Sequence, residues 1–225
     1  LLVGGSMMYF NTLLNGLSKL PASDSVVRKD LEQQIERRGV EQLYAELEQV
    51  DAETARMLHP NQQQRILRAL EVFRTTGVPI SSLRGGLYKQ VLPSCYTVYQ
   101  FGLVPSDRKF LHRKIETRFR SMIACGLCEE VQRLYLRGDL NKDLPAIRSA
   151  GYRQLWEFFE GNLSLDAAVD RGIIATRQLA KRQLTWMRRW TNMQMLRIDD
   201  GTKFNHPKKI VQTCLKILSK TPFSF

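Results

Sequence analysis

Little in these 225 residues suits metal-site or triad chemistry. The three histidines, His59, His112 and His206, are scattered, and no Ser/His/Asp or Cys/His arrangement accompanies them. Of the four cysteines, Cys95, Cys125, Cys128 and Cys214, two form one C-x-x-C in "ACGLCEE". A zinc site wants a second such pair or nearby histidines, so buried or half-buried helix thiols are expected instead. No apolar run approaches the roughly 18 residues of a membrane span, and no charged-then-apolar leader with a small-residue cleavage site is present. A cytoplasmic protein without a membrane partner is therefore expected. Internal repeats and low-complexity tracts are also lacking. The last absence is local: from Arg171 to Trp190 there is no acid at all.

What is there is basic and globular. Thirty-four Lys+Arg against 22 Asp+Glu leave +12, with 43% hydrophobic and 25% charged residues. Such a balance suits a polyanion, whether nucleic acid, a diphosphate or an anionic membrane surface, although a generally basic soluble protein would share it. "LLVGGSMMYF" reads as the end of a buried strand over Leu1–Gly4, a tight turn, and a helix capped by Ser6. Short helices follow from Pro21 to about Arg84, one capped by Asp24 or Ser23 and another by Asp51. The clearest, "NQQQRILRALEVFRTTGVP", takes Asn61 as cap with Gln64 completing a capping box and ends at Gly77. "LRGGLYKQVLPS" looks like a flexible link. From Tyr96 the period changes: "YTVYQFGLVPSD" reads as a strand, followed by several helices, a long one from Ser164 to about Trp190, a strand in "NMQMLRIDD" and a closing helix. This is the pattern of an α/β domain with a helical excursion.

Four constellations carry candidate chemistry. On the long helix, Arg177, Lys181 and Arg188 form one stripe and Arg171, Arg182 and Arg189 an adjacent one. Leu179, Trp186 and Trp190 lie opposite, which suggests a cationic wall backed by core. Like charges so placed repel, and an anionic partner is the natural compensation, with a merely solvated face as the alternative. Gln64, Arg65 and Arg68 share a helix face, where they can either read base edges and phosphates or snorkel over a core. In "AIRSAGYRQLW", Arg148, Tyr152 and Arg153 flank Gly151, either to grip an unstacked base or simply to start a helix capped by Ser149. Arg108, Arg113, Lys114 and Arg118 recur at helical spacing and can hold a diphosphate.

Taken in order and at their spacing, "LLVGGSMMYF", "HPNQQQRILRALEVF", "IRSAGYRQLW" and "ATRQLAKRQLTWMR" closely resemble the tRNA dimethylallyltransferases over nearly the whole chain. The resemblance implies an α/β fold with a P-loop NTPase-like parallel-sheet core, incomplete here, carrying an all-helical insertion domain. Residues 1–20 would belong to the core, 21–90 to an insertion binding the tRNA anticodon, and 91–225 to the rest of the core with C-terminal helices. It also implies the activity: transfer of a dimethylallyl group from dimethylallyl diphosphate to the N6 amine of the adenosine 3′ of the anticodon. The expected partner is the anticodon stem-loop, and a monomer is expected. Catalytic roles fall to Ser6, which stands where the family usually has Thr in "GGTMLYF", and to Arg118 near the diphosphate. Lys114 replaces a common Arg, keeping the charge and losing the bidentate fork. Ser6 is also matched to tRNA contact, with Arg28, Gln64, Arg65, Ile66, Leu67, Arg68, Arg148, Ser149, Ala150, Gly151, Tyr152, Arg153, Lys181, Arg182, Gln183, Leu184, Thr185, Trp186, Met187 and Arg188. Family members open with a G-x-T-x-x-G-K-[ST] phosphate loop and an Asp-Ser segment carrying the base. No G-x-x-x-x-G-K-[ST] occurs here. The chain thus resembles the C-terminal two-thirds of such an enzyme, with magnesium ligands mostly in the other part and negligible turnover expected of these residues alone. A P-loop small-molecule kinase and a non-catalytic RNA-binding fragment are the competing readings.

Overall fold

A computed structural model describes residues 1–18, 20–83, 92 and 95–219. Most of the segment read as a flexible link lies outside the described residues. The chain divides into two compact units, Met8–Tyr96 and, in the other, Leu1–Met7 with the residues from Thr97 on.

The first unit is helical. α1 (Met7–Asn15) leads to α2 (Ser25–Arg38), α3 (Val40–Val50), α4 (Ala52–Met57), α5 (Gln63–Thr76) and α6 (Ile80–Leu83). Asp24 starts α2 by accepting from the Val26 and Val27 amides at 2.8 and 3.2 Å, and Gly39 stops it. Asp51 is a double anchor. Its carboxylate accepts from the Thr54 amide and hydroxyl and from the Ser81 amide, tying α4 to the start of α6. Burial pushes the Asp51 carboxyl up, but these hydrogen bonds outweigh it and hold the group below the usual range. Leu31, Leu43, Leu47, Ile66, Leu67, Leu70 and Val72 are all but fully buried and make one core. Because α5 gives residues to this core from most of its circumference, it is the unit's central helix. Its start differs from expectation. Gln62 stands at the cap without capping the backbone, its side chain accepting from Arg65 instead, and the Gln64 side chain is turned to Arg28, so neither the Asn61 cap nor the capping box forms.

The second unit has β1 (Phe101–Val104) and β2 (Gln194–Arg197) as a parallel pair, Phe101 opposite Gln194 and Val104 opposite Arg197. The strand expected from Tyr96 is shortened to the four residues that β2 pairs. Leu1–Gly4, expected as a strand, form none, because an extended segment needs a neighbouring ladder and none lies beside it among the described residues. Between the strands run α7 (Arg108–Met122), a kinked segment over Ile123–Leu127 in which Gly126 has φ 100°, α8 (Cys128–Tyr135), α9 (Tyr152–Phe159) and α10 (Leu165–Arg188); α11 (Pro207–Ser219) follows β2. Beside this kink Cys128 is half-buried, whereas Cys125, expected buried or half-buried, is exposed, and both thiols are free. Asp199, buried just after β2, accepts from the Ser106 amide and hydroxyl and so locks the β1–α7 junction to the second strand. No helix among the described residues is long and apolar enough to cross a membrane.

Two glycines fix how the helices approach. A Cβ on Gly172 of α10 would lie 2.2 Å from the Phe119 ring of α7, and one on Gly151 would lie 3.4 Å from the same ring. Phe119 thus fills the space that both glycines leave, packed with Val169 and Ile173. Gly151 also has φ 97°, in the left-handed region that favours glycine. The open space read as room for a base is taken by a phenyl ring.

Candidate nucleic-acid interface

On α10 the expected division into core and cationic sides is rotated. Val169, Ile173 and Met187 mark the buried seam, while Leu179 and Trp186, expected in the core, are 40% and 45% exposed. Apolar residues alone place the seam under the tryptophan; the buried set, which also includes Ala168 and Gly172, is centred about a sixth of a turn away. Met187 therefore supports the face from inside and does not line it. Two of the six cations are neutralised internally: Arg177 pairs with Glu116 at 2.8 Å and Arg171 with Glu157 at 3.6 Å. Lys181, Arg182, Arg188 and Arg189 are exposed and have no acidic partner among the described residues. Arg182 and Arg189, one turn on either side of Trp186, make with it an exposed strip of aromatic and guanidinium groups. Thr185 and Leu184 are half-buried, the Thr185 hydroxyl bonding back to the Lys181 carbonyl at 2.9 Å.

Gln183 does something no sequence signal announced. Its amide donates to the Gly5 carbonyl at 3.1 Å, and a Cβ on Gly5 would meet that amide nitrogen at 2.5 Å. The Gly4–Gly5 turn is thereby seated on α10, with Ser6 exposed next to it at the start of α1.

The segment 148–153 is more self-contained than expected. Ser149 does not cap α9: its hydroxyl donates to the Ala146 carbonyl, and the helix starts after Gly151, whose amide is bonded to Gln154 at 2.9 Å. Tyr152 donates to Glu130, and that carboxylate pushes the phenol's pKa up. Arg153 pairs with Glu157 at 3.1 Å. Arg148 and Ala150 remain exposed. No hydrogen bond or ion pair links this segment to 181–188 among the described residues.

On α7, Glu116 is spent on Arg177 and Arg120, leaving Arg108, Arg113 and Arg118 exposed without ion pairs among the described residues. Lys114 stands 5.4 Å from the centroids of both Phe110 and Phe204, a cation between two rings.

In the helical unit, Arg28 and Arg68 converge on one buried residue, Glu71, 1% exposed, and Gln64 is joined to it only through Arg28. Glu71 accepts from the Ser23 hydroxyl at 2.5 Å and the Asp24 amide at 2.8 Å. It pairs with Arg68 at 3.2 Å and Arg28 at 3.7 Å. Burial pushes its carboxyl up, but Ser23, the Asp24 amide and Arg68 outweigh that and hold it below the usual glutamate range. Arg28 also pairs with Glu32 and donates to Gln64. Arg65 stands exposed at the start of α5. Ile66 and Leu67, matched above to tRNA contact, are fully buried, so their side chains build the core under the face and cannot touch a ligand.

A family model described as IPP transferase matches residues 1–190. The chain belongs to the IPP transferase family. Three solved structures are similar to it. The full-length tRNA isopentenylpyrophosphate transferase of Bacillus halodurans is 29% identical, with 95% of this chain covered and a TM-score of 0.56. A tRNA delta(2)-isopentenylpyrophosphate transferase of Staphylococcus epidermidis is 25% identical, with 95% covered and a TM-score of 0.52. A eukaryotic dimethylallyltransferase acting on tRNA is 22% identical, with 99% covered and a TM-score of 0.66, and shares the fold. The chain spans 63%, 67% and 57% of those chains. No group of three or more His, Cys, Asp or Glu comes together among its described residues, so they offer no all-protein cage for a metal; magnesium is commonly held by one or two carboxylates together with water and substrate phosphates.

Sequence reasoning missed Glu71, Glu116 and Gln183's partner. Glu71 did leave a signal: an acid inside the apolar run "RALEVF", three residues after an arginine, has to be buried with it.

Proposed function

We propose that this chain supplies the tRNA-holding part of an enzyme that moves a dimethylallyl group from dimethylallyl diphosphate to N6 of the adenosine 3′ of the anticodon. The observation that carries this reading is the exposed strip of α10, where Lys181, Arg182, Arg188 and Arg189 have no acidic partner among the described residues and Trp186 lies among them. Cations without internal partners attract phosphates, and an exposed indole between guanidiniums is a platform for an unstacked base. Family membership supports the substrate class. The two-stranded parallel sheet is read as part of a P-loop NTPase-like core.

In the reaction, the N6 lone pair forms a bond to the terminal allylic carbon, the carbon–oxygen bond breaks, and diphosphate departs with that electron pair. The amine's proton goes to a base. Lys181, Arg182 and Arg188 hold the anticodon backbone. Gln183 seats the turn that carries Ser6, whose hydroxyl is assigned to the target nucleotide. Arg118, exposed and without an acidic partner among the described residues, is assigned to the diphosphate, whose charge grows as the bond breaks.

Fluorescence anisotropy with an anticodon stem-loop tests the reading. Binding should weaken steeply with salt, and Lys181→Ala with Arg182→Ala and Arg188→Ala should weaken it and flatten the salt slope by about 0.7–0.9 for each phosphate no longer neutralised. Binding without salt dependence, or unchanged in the triple variant, overturns the proposal. With dimethylallyl diphosphate added, these 225 residues alone should give no measurable transfer.

A further inference from the structure

Gln64 is exposed, and an amide of that kind normally turns to suit its ligand, offering oxygen or NH2 as needed. Here it is not free to turn. The atom that Arg28 touches must be the amide oxygen, because a guanidinium carries only donors. The Gln64 NH2 is therefore turned away from Arg28, and it has no partner among the described residues. Arg28 in turn is held by Glu32 at 2.9 Å and Glu71 at 3.7 Å, and Glu71 is immobile: it is buried, bonded to Ser23 and the Asp24 amide, and shared with Arg68. Arg68 is fixed a second time by the Pro21 carbonyl. A buried carboxylate thus orders two guanidiniums, and one of those orders an exposed amide.

We propose that Glu71 is a positioning residue for RNA reading: acting through Arg28, it presents the Gln64 NH2 outward beside Arg65, so that this end of α5 takes only a hydrogen-bond acceptor, either a phosphate oxygen or a carbonyl or ring nitrogen of a base. The inference rests on the reading of tRNA as partner and adds which of its groups this face accepts. An exocyclic amine is excluded at this position. Pre-ordering also lowers the entropy lost on binding, since the amide and the guanidinium behind it are already held.

Anisotropy with the full chain and an anticodon stem-loop at fixed salt tests it. Glu71→Gln keeps the volume and removes the charge that holds both arginines; about a tenfold loss of affinity is expected, as for Gln64→Ala. The double variant should be no weaker than the weaker single one, because both act on one hydrogen bond. A merely structural Glu71 would give losses that multiply. Full affinity in a Glu71→Gln protein that circular dichroism shows folded, or multiplying losses, overturns the proposal. If Glu71→Gln does not fold, Gln64→Glu decides, with Asn61→Glu, exposed one turn earlier, as control for charge. Gln64→Glu should bind about tenfold more weakly than Asn61→Glu, because its acceptor faces an acceptor; equal binding overturns the proposal. Stem-loops altered one loop base at a time separate the sources: a Gln64→Ala loss common to all sequences assigns a phosphate, and a loss confined to one assigns a base. Failure of the unmutated chain to bind the stem-loop overturns the tRNA reading itself and this inference with it.

Discussion

The two units manage positive charge in opposite ways. Residues 8–96 hold 11 Lys+Arg against 10 Asp+Glu, whereas the rest of the chain holds 23 against 12, so nearly all of the +12 lies in the unit of α7 and α10. In the helical unit the interior-facing arginines are each held by acids: Arg28 and Arg68 by Glu71, and Arg74 by Asp30 and Glu46. On the far half of α10 the cations have no acidic partner among the described residues. The first arrangement spends charge on fixing side chains in place; the second leaves it as a field for a polyanion. Fixed donors suit reading of one group, while a field suits holding a backbone whatever its sequence.

The contrast can be broken by measurement, beginning where melting should change most. Arg68→Met leaves Glu71 buried with only the more distant Arg28, and about 3 kcal/mol of stability should go. A change within experimental error would mean that the helical unit's ion pairs are as dispensable as surface charges. Gly172→Ala drives a methyl into the Phe119 ring and should cost about 2 kcal/mol, read as a lower Tm; an unchanged Tm would show that α7 and α10 can separate. Acid should also find the helical unit first. Glu71 and Asp51 are both held below their ordinary values, so their contribution is complete above about pH 4.5 and is lost as pH falls through the lowered folded values. Melting of the full chain between about pH 6 and 3 should show this slope, and Glu71→Gln should make it shallower. Arg177→Met, at a half-exposed pair, should cost about 0.5–1 kcal/mol. Smallest is Lys181→Ala with Arg182→Ala, within about 0.5 kcal/mol in stability. There the order reverses, for stem-loop affinity should fall most in this variant. A large loss of stability without loss of affinity would erase the distinction between the units.

The helices were largely legible because each rests on local chemistry. Asp24, Asp51 and Ser164 cap by accepting nearby amides, and Gly77 ends α5 in the left-handed conformation. The segment of β1 was visible as a β-branched and aromatic run and that of β2 was expected without such a signal, but the ends of neither were legible, since pairing sets them. Ser149 and Asn61 misled because a hydroxyl or amide at the right spacing caps a helix only when the backbone turns there. On α10, the seam could not be found by counting apolar residues: Trp186 and Leu179 are as apolar as Val169 and Ile173, and only packing against α7 chooses among them.

By itself the order of residues determined that the chain is basic, helical around a small parallel pair, and patterned like an RNA-modifying enzyme, because composition, caps and motif spacing are properties of neighbours along a chain. Only the tertiary structure decided which cations are spent and which are free. Charge neutralisation is a matter of a few ångströms through space, and Glu116 reaches Arg177 across 61 residues as readily as Arg120 across four.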